Sequence, residues 1–93
     1  MQFAKHLRPL VRSGAVTCSI RIWQSARVKT GGRYLIDDGH IVIDSVREIA
    51  LDQVDDALAR SSGFADTADL LATARHGRGD NVYLVTFHYL ESA

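Results

Sequence analysis

The sequence predicts a single α+β domain in which a small, mostly antiparallel sheet curls toward a barrel and short helices pack around it. Three observations lead there. The chain has 93 residues, the size of one domain spanning 1–93. Apolar residues fall at every second position over 16–23 and 82–90, and β-branched segments stand at 33–36 and 40–49. The order of elements is helix, strand, hairpin, two helices, strand, so strands and helices do not interleave as a parallel sheet requires.

Phe3, Leu7, Leu10 and Val11 recur at helical spacing and predict a short helix around 5–13, with Pro9 tolerated only near its start. Ser13-Gly14 ends it, Gly14 suiting a left-handed cap. The first strand places Val16, Cys18, Ile20 and Ile22 on one face and Thr17, Ser19, Arg21 and Trp23 on the other. Residues 24–32 are polar and basic, end in Gly31-Gly32 and read as a loop. Asp37-Asp38-Gly39 reads as a hairpin turn in which Gly39 supplies the positive φ. Leu51, Val54 and Leu58 suit a helix capped by Asp52 and broken at Ser61-Ser62-Gly63. Leu70, Leu71 and Ala74 mark another, running to about Arg75 and capped by Asp66 or Thr67. His76 to Asp80 reads as a turn. In the last strand Tyr83, Val85, Phe87 and Tyr89 share a face opposite Leu84, Thr86, His88 and Leu90.

Composition narrows the function classes. Apolar content of 46% with a single proline fits a globular chain rather than a disordered one. The lone Cys18 cannot form an internal disulfide, and the first residues lack a signal-peptide core, so a soluble cytoplasmic protein without membrane contact is expected. His6, His40, His76 and His88 show no ligand spacing, and neither a metal nor a cofactor is expected. The zero net charge conceals an asymmetry. Residues 1–36 carry seven Lys and Arg and no acid, whereas 37–93 carry four Arg against eleven acids. The basic third is either an anion-attracting side or a solvated surface answered by acids of the same domain.

The polar face of the first strand is the best chemical candidate. Its alternate residues lie about 6.5–7 Å apart. Thr17 and Ser19 offer hydroxyls, Arg21 a planar fork of donors for phosphate or carbonyl oxygens, and Trp23 a surface for stacking a base. With Arg27 and Lys29 of the following loop, these residues predict a basic cleft for RNA or a nucleotide. About three phosphate contacts to a single strand give log K a slope near −2 against log salt. An ordinary solvated strand face accounts for the same pattern.

Gly14-Ala15-Val16-Thr17-Cys18-Ser19-Ile20-Arg21 resembles the signature of ASCH domains. Gly31-Gly32 before the second strand, Ser62-Gly63-Phe64 before the Leu70-Leu71 helix and the closing Tyr83-Leu84-Val85-Thr86-Phe87 strand follow in the same order. The resemblance covers nearly the whole chain and implies a PUA-like β-barrel with an RNA-related role. Some members of that family are amidohydrolases acting on N4-acetylcytidine, and some are reported as ribonucleases. The amidohydrolases use a Lys, a Thr and a Glu. Carried over, the nucleophilic Thr falls on Ser19, the Lys on Val16 and the Glu near Ser62, so only the hydroxyl is kept. Ser19 is thus the one candidate catalytic residue, and hydrolysis of RNA or modified nucleosides is the alternative to binding. A third reading is a non-catalytic module whose acidic second part, with Asp52, Asp55 and Asp56 on one short helix, meets a basic protein partner.

Overall fold

The computed structural model describes residues 1–74 and 79–91. A 3-10 turn at Lys5–Leu7 leads into α1 (Arg8–Ser13), with Pro9 in the first turn, where its missing N–H has no intrahelical partner to lose. Gly14 closes the helix at φ 82°, its N–H donating to the Val11 carbonyl at 3.2 Å. Then come β1 (Cys18–Trp23), β2 (Arg33–Ile36), β3 (Gly39–Ile49), a 3-10 turn (Leu51–Gln53), α2 (Asp56–Ser61), α3 (Thr67–Ala74) and β4 (Asn81–Glu91). This is the element order the sequence predicts. The strands form one sheet in the order β1-β4-β3-β2 with every neighbouring pair antiparallel. The sheet curls into a four-stranded half-barrel.

Part of the curl has an identifiable origin. Ile43 lies opposite Phe87 and Ser45 opposite Thr86, which leaves Asp44 as an extra residue in β3. Such a bulge bends the strand and increases its twist. It also shifts the phase of β3. Ile41 and Ile43 face the inner core before it, and Val46 takes over that face after it.

Two cores result, one on each side of the sheet. The inner face gathers Phe3, Leu7 and Val11 of the N-terminal segment against Ile41, Ile43, Val85 and Phe87. The outer face carries Ile20, Ile22 and Val82 under Ala59 of α2 and Leu70 and Ala74 of α3. Both faces of β1 are therefore covered, and its alternation separates two interiors rather than an interior from solvent. Loop 24–32 runs from β1 at one sheet edge to β2 at the other. On the way Val28 enters the inner core, and Gly31 and Gly32 exchange backbone hydrogen bonds with Ile43 at 2.7 and 2.9 Å.

Local chemistry differs from expectation at two points. The hairpin takes its positive φ at Asp37 (52°), since Asp tolerates the left-handed region, while Gly39 already belongs to β3. Gly39 is needed for space: a Cβ there would overlap the Leu90 carbonyl and the Tyr89 ring. The helix expected from Leu51 to Leu58 is split. Asp52 sits in the 3-10 turn, and Asp55 caps α2 by accepting the Leu58 N–H at 2.8 Å. Asp52, Asp55 and Asp56 thus do not share one helix. Asp66 accepts the Asp69 N–H at 2.8 Å at the start of α3, as a capping residue does. The turn expected at 76–80 falls largely on 75–78, outside the described residues. Among the described residues, no helix is long and apolar enough to cross a membrane.

Candidate functional site

A cleft of about 480 Å³ opens along the free edge of β1. Phe3 and Leu7 of the N-terminal segment and Phe64 of the α2–α3 connection form its apolar walls. Ser19, Arg21 and Thr73 supply its polar side chains. The α2–α3 connection reaches the site because Gly63, at φ 93°, lies against Leu7 and Val16 with no room for a side chain.

Ser19 and Arg21 point the same way, as the alternation of β1 requires. Arg21 Nε donates to Ser19 Oγ at 2.8 Å, and one Nη donates to the Gln2 carbonyl at 2.6 Å. The guanidinium carbon stands 5.0 Å from the centre of the Phe3 ring, a cation–π arrangement. Arg21 is largely buried, and desolvation pushes its pKa down from the usual arginine range to about 10. No carboxylate lies within ion-pair distance of it among the described residues, nor does one line the cleft. Buried cations are ordinarily paired. Here the guanidinium has a hydroxyl, a carbonyl and an aromatic face, and its other N–H groups have no partner among the described residues.

The remaining sequence candidates lie elsewhere. Trp23 shares the face of Ser19 and Arg21, but it is 9% exposed and packs against Tyr83 at 5.7 Å between ring centres. It belongs to the inner core and does not line the cleft. Thr17 is exposed just before β1, where its carbonyl accepts the Phe87 N–H at 2.9 Å. Arg27 and Lys29 are exposed on the loop that crosses to β2, away from the cleft lining. Arg12 and Arg8 reach Asp37 at 3.1 and 3.9 Å, so part of the basic first third is answered by the acidic hairpin turn.

Ser19 has no general base at hand. The cleft lining contains no His, Lys or carboxylate among the described residues. Val16, where the resemblance puts a Lys, is buried in the inner core. Ser62, near the position implied for a Glu, is 2% exposed, with its hydroxyl donating to the Leu58 carbonyl and standing 3.5 Å from Cys18 Sγ. The arrangement suits holding an anion more than activating a hydroxyl. Among the described residues no cluster of three His, Cys, Asp or Glu is placed to hold a metal. Phe3, Phe64 and Thr73 reach the cleft from distant parts of the chain, and nothing in their local sequence marks them as site residues. The Gly63-Phe64 step is the one signal available. No family model, curated protein or solved structure matches the chain.

Proposed function

We propose that this chain is a nucleotide- or RNA-binding domain of the ASCH type, with a PUA-like barrel and a cytoplasmic location, that holds its ligand in the cleft beside β1. The observation that carries this reading is the largely buried, carboxylate-free guanidinium of Arg21 in a cleft with aromatic walls. A phosphate oxygen supplies the opposite charge that Arg21 lacks, through the fork geometry guanidinium shares with phosphate. Phe3 and Phe64 give a base or sugar an apolar surface. Ser19 holds Nε and so fixes the direction of the fork. In this reading Ser19 is an anchor rather than a nucleophile.

The experiment is a calorimetric titration with nucleoside 5′-monophosphates, inorganic phosphate and a short single-stranded RNA across a range of salt. Among the described residues one cation lines the cleft instead of the three counted in the sequence. The expected slope of log K against log salt is therefore about −0.7, the value for one phosphate contact on a single strand. Absence of binding to every nucleotide and RNA refutes the reading. A slope near −2 places Arg27 and Lys29 back in the interface.

A further inference from the structure

The sheet ends at β2 on the side away from the cleft. The Ile43 N–H donates to the Gly32 carbonyl at 2.9 Å, which fixes the phase of the β2–β3 pairing. In an antiparallel pair, residues alternate between bonding the neighbouring strand and turning their N–H and C=O away from it. Tyr34 opposite Ile41 and Ile36 opposite Gly39 therefore bond β3, while Arg33 and Leu35 turn their main chains outward. Exposure agrees with this phase. Leu35 is 82% exposed as a whole residue, and Arg33 is exposed as well. Among the described residues no backbone bond outside the sheet involves either of them. Met1 to Phe3 flank this edge from the inner core, where Phe3 is buried, and leave Leu35 uncovered.

An unpaired edge with an exposed leucine is a template for another strand. The sequence of β2 is its own complement. With a two-fold axis through Leu35, two antiparallel β2 strands set Leu35 against Leu35, as a pair exchanging both main-chain bonds. The same axis brings each Arg33 to the Asp37-Asp38 turn of the other copy. Asp37 is already held by Arg12, but Asp38 and Arg33 are exposed and have no ion-pair partner among the described residues. Opposite charges thus face each other across the seam. The apolar row matches too. Leu35 lies beside His40, and His40 beside Leu90, which is 41% exposed. Ala59 of α2 and Leu70 and Ala74 of α3 pack over Ile20, Ile22 and Val82 on this face, not over that row. Pairing extends the row from Leu90 through Leu35 into its copy.

We infer that this chain forms a two-fold dimer by pairing β2 with β2 of a second copy, which joins two four-stranded half-barrels into one continuous sheet. The cleft beside β1 lies on the opposite edge, so each copy keeps its cleft and dimerisation is independent of the nucleotide reading. A four-residue strand offers few bonds. The seam falls short of the roughly 1,200–2,000 Å² of a standard stable interface, and association is weak, with a Kd of about 10–100 μM.

The test is analytical ultracentrifugation of the full chain from about 5 μM to about 1 mM, with amide exchange of the 15N-labelled protein at both ends of that range. Monomer gives way to dimer, and exchange of the Leu35 amide slows about fivefold at the high end, while the Tyr34 amide, already bonded to β3, is unchanged. Leu35→Pro removes only an outward N–H, which an edge strand tolerates, so it weakens the dimer about tenfold or more with little change in Tm. Arg33→Glu sets an acid against the Asp37-Asp38 turn and weakens it similarly. A chain that is monomeric at about 1 mM, with Leu35 exchange independent of concentration, overturns the inference. A dimer of undiminished strength in Arg33→Glu and Leu35→Pro overturns it as well. Should Leu35→Pro fail to fold, Arg33→Glu and exchange in the native chain decide.

Discussion

Replacing Arg21 with Met separates a residue kept for its ligand from one kept for the fold. Burial lowers the guanidinium pKa from the usual arginine range to about 10. That depression corresponds to about 3 kcal/mol by which the folded protein disfavours the charged form. The folded pKa lies below the unfolded one, so at pH 7 the penalty is fully present. Two charge-assisted hydrogen bonds, to Ser19 and the Gln2 carbonyl, oppose it with about 1.5–3 kcal/mol each. Met removes the charge and both bonds while keeping much of the side-chain volume. The expected loss of unfolding free energy at pH 7 therefore lies between about 0 and 3 kcal/mol, measured by urea titration. Binding responds differently. Loss of a charge-assisted contact worth about 1.5–3 kcal/mol weakens nucleotide affinity roughly 10- to 150-fold. Ligand at about a hundred times the native Kd stabilises the native chain by about 2.7 kcal/mol, raising Tm by about 10 °C or more in a domain this small, and stabilises the variant by only about 0.3–1.4 kcal/mol. Affinity for the native protein holds between pH 7 and 9, across which the guanidinium keeps its charge. A destabilisation above about 4 kcal/mol makes Arg21 a structural strut. A thermal shift undiminished in Arg21→Met refutes the site altogether.

Three further outcomes are expected. Gly63→Ala forces a side chain into positive φ and against Leu7, destabilising the fold by roughly 1–3 kcal/mol in chemical denaturation and narrowing the cleft. Asp56 accepts both the N–H and the hydroxyl of Thr67, at 2.9 and 2.8 Å, which lowers its pKa, backbone hydrogen bond first. Its contribution is present above the ordinary carboxylate pKa and is lost as pH falls through the depressed value. Asp56→Asn therefore destabilises at pH 6, and the difference from the native protein shrinks on acidification below about pH 4. Ser19→Ala leaves Arg21 charged but frees its Nε, so nucleotide affinity falls a few-fold, about 1 kcal/mol, without any change in N4-acetylcytidine hydrolysis. Turnover of N4-acetylcytidine that disappears in Ser19→Ala makes the protein a hydrolase instead.

The inner strand pattern, the helix stop at Gly14 and the cap at Asp66 follow from local rules, so they could be read from the chain. Period-two alternation over 82–90 places Tyr83, Val85 and Phe87 together because a strand offers no other arrangement. The same rule brings Ser19 and Arg21 side by side, and they meet at 2.8 Å. What alternation does not contain is the surroundings of each face. Trp23 shares the face of Arg21, yet it packs on Tyr83 within the inner core, while the N-terminal segment leaves the edge beside Arg21 open.

The sequence by itself determined the order of elements and the pairing of a hydroxyl with a guanidinium, since both depend on neighbours a few residues apart. Only the tertiary structure decided which cations face a common cavity. Arg8 and Arg12 turn to Asp37, Arg27 and Lys29 ride a loop to the far edge, and among the described residues Arg21 alone is drawn inside. Charge acts through distance in space, and the distances were set by strand order and by the bulge at Asp44, where the chain spacing carries no such information.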